Sequence, residues 1–420
     1  MRENAVSITD VCALTLYGLI NALFVYKYAA RITAHPWVTS SLYLVLLGLL
    51  VLLLYRKAEL RLSPGAQNLI YFLVIVLFAF ALTLVMSHFD PQKIRVGRYP
   101  ALQDWISRLF DSEFPYNVHT RPSGFPFLFV MAMPFYLLGD LGFFQIFSFL
   151  IFAGLVYFRY REQTANRFRC IFLLMSAPVF LYEVMVRSEL FSNMVMVMLY
   201  LAILEMVGRR MSLVALISLG LVGGLLLSTR GIALLIYVLV LGYFLKTKVV
   251  THGMFFASIC AGFLVSLLPF LIWDWAQFMK LGPLSKQLSF LPIWLLALSV
   301  VSSVYCALKI ESLRRVYSAV SFTLFAVVLV AFSTSVLDLG WHQSVLGDGF
   351  DISYFAFAIP FLIVSLDFRG KEDASPVGVF ANHPAGSRSG SNSDAESCVS
   401  RGPTTFRAIL GTTVPYVRVQ

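Results

Sequence analysis

The sequence predicts an all-α membrane protein, a polytopic helix bundle with about 12 transmembrane helices. Of its 420 residues, 59% are hydrophobic and only 13% are charged, whereas soluble domains average about 25% charged residues. The apolar residues fall in runs of about 20, the length that crosses the hydrocarbon core of a bilayer. The net charge of +10 comes from short basic turns rather than from one patch, so no nucleic-acid partner is expected.

Twelve apolar runs are the candidate spans. In chain order they are 8–27, 38–55, 67–86, 141–158, 170–186, 190–207, 211–228, 231–246, 252–273, 290–308, 317–336 and 352–367. Half of the 32 Lys and Arg residues lie in the basic turns 56–61, 159–169, 209–210, 246–248, 309–315 and 369–371. The positive-inside rule places these turns in the cytoplasm. Residues 87–140 then form a large external loop, and both termini are cytoplasmic.

Residues 125–158 are long enough to cross the membrane twice, but the basic turn that follows them is compatible with only one crossing. Two crossings within residues 125–158 would place the basic turn 159–169 outside, so a single crossing at 141–158 is predicted. Residues 124–137 are then expected to be an interfacial helix in the external loop, interrupted by Pro126 and Pro134.

A second interfacial helix is predicted over residues 99–110. Pro100 suits a first helical turn. The apolar side chains recur at helical spacing and form one face of that helix; they are Leu102, Trp105, Ile106 and Leu109. This helix would hold Asp104 at the membrane surface, off the apolar face.

The chain is expected to divide into a membrane domain, residues 1–370, and a disordered cytoplasmic tail, residues 371–420. The tail is rich in Ser, Gly, Asn and Pro and has no apolar period. The five cysteines are scattered and none has CxxC or CxxH spacing, which argues against a zinc site or a disulfide framework. The sequence therefore predicts no cofactor and leaves dependence on a divalent metal open.

Titratable residues at the external ends of spans are the candidate functional residues, because charged groups near membrane spans commonly mark substrate sites. An acid there could remove a proton from an acceptor hydroxyl, and an arginine could hold a phosphate through paired charge-assisted hydrogen bonds. The acids are Asp90, Asp104 and Glu189. The candidate substrate-binding residues are Arg98, Arg121, Arg187, Arg230, His342 and Asp348.

Each candidate also has a purely structural interpretation. Asp90 could end a helix, and Asp104 could be a solvated surface acid. Arg187 and Glu189 could pair with each other, and Arg230 could extend to the external headgroups without touching a substrate. In the last external loop, His342 could be satisfied by neighbouring groups and Asp348 could only shape a turn.

One motif resembles a known family. Residues Tyr99-x5-Trp105-x3-Leu109-Phe-Asp-Ser-Glu-Phe-Pro-Tyr116 precede a proline-led apolar helix at 122–134 that ends in Leu137-Leu-Gly-Asp140. This arrangement is similar to the first external loop of GT-C superfamily glycosyltransferases, which include the bacterial aminoarabinose transferase and the protein O-mannosyltransferases. The similarity extends over residues 80–280 and has a loose motif.

The resemblance implies an activity and roles for residues. Enzymes of this superfamily transfer a sugar from a polyprenyl-phosphate carrier on the external face of the membrane and invert the anomeric centre. A loop aspartate is the base, and an Arg or Lys in a later external loop holds the phosphate. The family acid precedes the tyrosine, where this chain has Arg95-Val-Gly-Arg98. The base candidates are therefore Asp104 and Asp90, with Glu189 as a second acidic site.

The resemblance makes Arg230 the first candidate for binding the carrier phosphate and Arg187 the second. It implies a polyprenyl-phosphate sugar as donor, an external acceptor of unknown identity, and a location in the plasma membrane, the inner membrane of a bacterium. Two other classes stay open. A secondary transporter would suit twelve spans but would carry charges at mid-span. A polysaccharide polymerase or ligase would also act on lipid-linked glycans, usually with its large loop later in the chain.

Overall fold

The structure is a computed structural model that describes residues 7–55, 63–91, 98–120, 122–207, 212–249, 253–290 and 293–366. Within these ranges every regular element is a helix and no strand is present, so the all-α prediction is confirmed. The predicted cytoplasmic tail, residues 371–420, lies outside the described residues.

The helices follow one another with short connections. In chain order they are α1 (Ile8–Ala29), α2 (Pro36–Tyr55), α3 (Pro64–His88), α4 (Tyr99–Phe110), α5 (Pro126–Leu137), α6 (Phe143–Arg159), α7 (Thr164–Met175), α8 (Pro178–Met185), α9 (Leu190–Val207), α10 (Leu213–Leu227), α11 (Ala233–Lys246), α12 (Gly253–Trp273), α13 (Trp275–Leu281), α14 (Pro283–Phe290), α15 (Ile293–Lys309), α16 (Leu313–Trp341) and α17 (Ile359–Ser365). A π-helical turn (His342–Leu346) and a 3₁₀-helix (Ile352–Ala358) lie between α16 and α17.

Six stretches of helix in the described part of the chain are long and apolar enough to cross a bilayer: Ile8–Ala29, Pro36–Tyr55, Pro64–His88, Leu190–Val207, Gly253–Trp273 and Leu313–Leu346. A seventh candidate is the pair α7 and α8, bent by 58°. The other five predicted spans coincide with shorter apolar helices. The chain therefore has the structure of a helical membrane protein, with six or seven helices that meet the length expected of a span.

The bend between α7 and α8 interrupts the predicted span 170–186. Pro178 is the first residue of α8, and proline has no N–H to donate to the preceding turn. The α7 helix ends instead with Ser176 N–H donating to Phe172 O (2.9 Å) and Ala177 N–H donating to Leu174 O (3.1 Å). One predicted straight helix is thus two helices in the structure.

The last helix lies at the centre of the main core. All seven residues of α17 are buried, and α17 contacts α16, α1, α9 and α7. Most of α9 is buried as well. In contrast, α2 buries only Ser40 and Leu47, as expected for a helix whose apolar side chains face lipid.

The α10 and α12 helices pack at unusually close range through glycines. A Cβ atom on Gly224 would collide with the carbonyl oxygen of Ile259, and one on Gly262 would collide with that of Leu221. Small residues at such positions allow helix backbones in a membrane to approach each other closely. This packing fixes the end of α10, where Arg230 follows.

A second, aromatic core fixes the segment 99–137 against the bundle. Trp105 of α4 stacks on Phe129 of α5, with ring centroids 4.4 Å apart and planes at 10°. Tyr116 meets the edge of Phe278 at 5.5 Å and donates a hydrogen bond to Gly124 O at 3.0 Å. The predicted helix over 99–110 is confirmed, with Leu102, Trp105 and Ile106 buried; the other predicted interfacial segment forms α5.

Candidate functional site

Two short connections place the central pair of charges, Glu189 and Arg230. Glu189 directly precedes α9, whose first amides are capped by Glu183: its Oε2 accepts from Leu190 N at 3.1 Å and Phe191 N at 3.4 Å. Gln145 Nε2 donates to Ser188 O at 2.6 Å. Because these hydrogen bonds fix the start of α9, they also fix the direction of the Glu189 side chain.

Arg230 lies in the connection between α10 and α11. The neighbouring carbonyl, Thr229 O, accepts from Phe125 N at 3.1 Å, which joins this connection to the start of α5. The Arg230 side chain forms an ion pair with Glu189, and the two side chains are only 6% and 1% exposed. Its Nη1 also donates to Ser123 Oγ at 2.8 Å. Arg230 therefore points into the protein and does not extend to the headgroups.

Arg98 approaches the same carboxylate from the start of α4. Its Nη1 lies 3.8 Å from Glu189 Oε1, and its Nη2 lies 2.6 Å from Asp351 Oδ2. The guanidinium carbon lies 4.4 Å from the centre of the Tyr354 ring, a cation–π distance. Two arginines thus share one buried glutamate, and the segment before the 3₁₀-helix supplies a second acid, Asp351.

The electrostatics of Arg98 and Asp351 reinforce their pairing. The surrounding protein partly desolvates the Asp351 carboxylate, whose side chain is still 43% exposed, and this would raise its pKa. Arg98 and hydrogen bonds from Ser353 outweigh that effect and hold the pKa of Asp351 below its ordinary value. Burial alone would lower the pKa of Arg98, but Tyr354 and Asp351 raise it above its usual value. Both groups are therefore charged at neutral pH.

Two polar atoms of this cluster, Oε2 of Glu189 and Nε of Arg230, are buried and make no hydrogen bond. Oε1 of Glu189 and Nη1 of Arg98 are held only by the ion pairs. Burying charge without full hydrogen bonding is costly, and such clusters are typical of functional sites. The arginine donors are therefore candidates to bind an anionic ligand.

The cluster opens into a polar cavity of about 260 Å³. Its charged lining is balanced, with three basic and three acidic residues: Arg98, Arg230, Lys286, Glu189, Asp348 and Asp351. Thr120 and Ser123 add hydroxyl groups. This mixture suits a ligand that has both an anionic group and several hydroxyls.

An apolar groove of about 250 Å³ adjoins the polar cavity. Leu234 and Leu235 of α11, Leu284 of α14, Leu296 of α15, and Val327, Val328 and Ala331 of α16 line it. Four residues line both spaces: Ser123, Arg230, Phe350 and Tyr354. Arg230 therefore lies where a charged compartment meets an apolar one.

The structure brings together four of the residues that the sequence singles out: Arg98, Glu189, Arg230 and Asp348 all line the polar cavity. Asp104 lies one hydrogen bond away, because Thr120 Oγ1 donates to Asp104 Oδ2 at 3.0 Å and Thr120 lines the cavity.

Arg187 is placed differently and has a structural role. Its guanidinium nitrogens all donate to protein groups: Nη1 to Phe89 O at 2.6 Å, Nη2 to Met86 O at 2.6 Å, and Nε and Nη2 to the Asp140 carboxylate at 3.4 and 3.2 Å. Its pairing partner is thus Asp140. With its donors used to join the end of α3 to the segment before α6, Arg187 has little capacity to bind a phosphate.

The remaining predicted residues lie away from the cavity or outside the described chain. Asp90 follows α3 and is exposed, and His342 is exposed in the π-helical turn; neither lines the cavity. Arg121 lies outside the described residues.

The site also contains residues that the sequence did not single out, namely Ser123, Lys286, Gln287 and Tyr354. Lys286 is basic in a segment that the predicted topology places outside, a signal that could have identified it. Ser123, Gln287 and Tyr354 are uncharged, so no unusual charge marks them in the sequence. Only their distance from Arg230 in the folded chain identifies them. Among the residues that the structure describes, no group of three or more His, Cys, Asp or Glu side chains could hold a metal ion.

Comparison of the chain with protein-family models, with curated protein sequences and with solved structures found no match. The GT-C resemblance therefore stays a prediction from the motif at 99–140, and the geometry of the site has to support a function by itself.

Proposed function

We propose that the protein is a membrane glycosyltransferase that takes a sugar from a polyprenyl-phosphate carrier and transfers it to an external acceptor with inversion. The observation that supports it best is the position of Arg230 at the junction of the polar cavity and the apolar groove. A lipid-linked sugar has the same sequence of parts: an apolar chain, a phosphate and a sugar.

The donor fits this junction in one orientation. Its phosphate lies at Arg230, close to Arg98, which pairs with the same oxygen of Glu189. Its first isoprene units follow the groove between α11, α14, α15 and α16, and its sugar occupies the polar cavity. Glu189 pairs with both arginines. A bound phosphate takes over part of that pairing through donors such as Arg230 Nε.

The transfer needs a base and a stabilised leaving group. A cavity acid takes the proton of the acceptor hydroxyl as its oxygen bonds to the anomeric carbon. The bond from that carbon to the phosphate oxygen breaks, and the electron pair leaves with polyprenyl phosphate. Arg230 stabilises the growing negative charge on the phosphate. Asp104, at the cavity edge through Thr120, is the proposed base, and Asp348 is the alternative.

We further propose that the chain crosses the membrane twelve times, with the site on the external face. On this topology, a cysteine at Ser112 labels with a membrane-impermeant maleimide in intact cells, in a background whose native cysteines are replaced by serine. A cysteine at Ser312, in a basic cytoplasmic turn, labels only after the cells are permeabilised. The reverse labelling pattern would invert the topology.

Photo-crosslinking tests the donor site. A polyprenyl phosphate with a photoreactive group on its second isoprene unit is expected to label peptides from α15 and α16, near Leu296 and Val328. The matching polyprenyl alcohol, which lacks the phosphate, should label them far less. Labelling confined to the lipid-facing α2, equal for phosphate and alcohol, would contradict the proposal.

A further inference from the structure

The short external helix α14 contacts the Arg230 segment through one side chain, Gln287. Its Nε2 donates to Ser123 O at 2.7 Å, and its Oε1 accepts from Gly231 N at 2.7 Å. Gly231 follows Arg230 in the chain, and Ser123 is the residue whose hydroxyl accepts from Arg230 Nη1. The Gln287 amide therefore contacts two neighbours of Arg230. One is Gly231, the next residue in the chain, and the other is Ser123, whose hydroxyl accepts from the Arg230 guanidinium.

The chemistry at this position calls for an amide. Ser123 O can only accept, and Gly231 N–H can only donate, so the side chain between them has to present a donor and an acceptor at one end. Among side chains of this length, only glutamine does so without a charge. A glutamate lacks the donor, a lysine lacks the acceptor, and a leucine lacks both.

The packing around Gly231 makes this contact specific. A Cβ atom on residue 231 would collide with Gln287 Oε1, so the glycine allows the amide to reach the backbone. Gln287 and Leu284 of α14 also line the apolar groove. The same helix thus forms part of the groove wall and holds the residues that orient Arg230.

We infer that Gln287 is a positioning residue: it sets the direction of the Arg230 guanidinium, and through it the affinity for a lipid-linked phosphate. This inference rests on the proposed function, because it takes Arg230 as the phosphate-binding residue. Gln287 itself need not touch the phosphate. Its contribution passes through the Ser123 carbonyl and the Gly231 amide.

The test is equilibrium binding of farnesyl phosphate to purified full-length protein in lipid nanodiscs. Gln287→Glu and Gln287→Leu are each expected to weaken binding by about tenfold, because each leaves a partly buried backbone group without its partner. Lys280→Ala is the control: Lys280 is exposed on the neighbouring helix α13 and lines neither space.

A second comparison separates positioning from general loosening of the fold. In an Arg230→Ala background, Gln287→Glu should cause no further loss of farnesyl phosphate binding, since the residue it positions is gone. A further tenfold loss there would overturn the inference. So would unchanged binding by Gln287→Glu and Gln287→Leu where Arg230→Ala alone abolishes it. If Arg230→Ala binds farnesyl phosphate as well as the wild type does, the proposed function itself fails.

Discussion

Replacing Arg230 with alanine is expected to lower kcat/KM for the lipid donor by about 10²–10³-fold, the usual cost of removing one group that stabilises charge in the transition state. The same change leaves the buried Glu189 with Arg98, 3.8 Å away, as its remaining cationic partner. Breaking a buried ion pair in this way costs about 3–5 kcal/mol of stability. The variant should therefore lose both activity and thermal stability, measured by donor turnover and by unfolding in detergent.

Two further variants separate these effects. Arg230→Lys keeps the charge but loses the paired N–H groups of the guanidinium, so its activity should lie between wild type and Arg230→Ala. Replacing Arg230 and Glu189 together with alanine removes both charges, so stability should recover much of the loss while activity does not. A double variant that regains turnover would show that Arg230 matters only for folding.

The second large effect is expected from the loop acid. Asp104→Asn should reduce the transfer rate by about 10²–10⁴-fold, the range for removing a positioned base, with donor binding unchanged. Asp90→Asn is the matched control: Asp90 is exposed, whereas Asp104 accepts a hydrogen bond from Thr120, which lines the cavity. Single-turnover rates and the affinity for farnesyl phosphate should be measured for both.

Asp348→Asn completes the comparison of acids. If this variant loses turnover while Asp104→Asn keeps it, the base is Asp348, which itself lines the cavity. Full turnover in Asp104→Asn, Asp348→Asn and Asp90→Asn, with folding intact, would rule out each of these three acids as the base.

Most helix positions could be predicted from the sequence, because a run of apolar residues is a local signal. The span 190–207 coincides with α9, and the amphipathic segment 99–110 coincides with α4. The bend at Pro178 was missed because the apolar run continues through the proline, so hydropathy alone gives one helix. The number of crossings is also harder to predict, since several apolar helices are shorter than a full span.

The candidate site was predicted less completely. Arg98, Glu189 and Arg230 could each be identified from the sequence because they are charged residues close to predicted spans. A charge there is energetically costly, so it is rarely present without a role. Their partners could not be predicted, because Arg230 lies 107 residues from Ser123 in the chain. Arg187 and Arg230 look alike in sequence, and only the folded structure separates the arginine satisfied by Asp140 from the one that faces the cavity.

The most direct test of the proposed function is turnover of a panel of polyprenyl-phosphate sugars by the purified protein in nanodiscs, scored as release of polyprenyl phosphate. We expect at least one sugar to be released or transferred by the wild type at a rate that Arg230→Ala lowers by about 10²–10³-fold. If no sugar in the panel is turned over and farnesyl phosphate fails to bind the wild type, the protein is not a polyprenyl-phosphate-dependent glycosyltransferase.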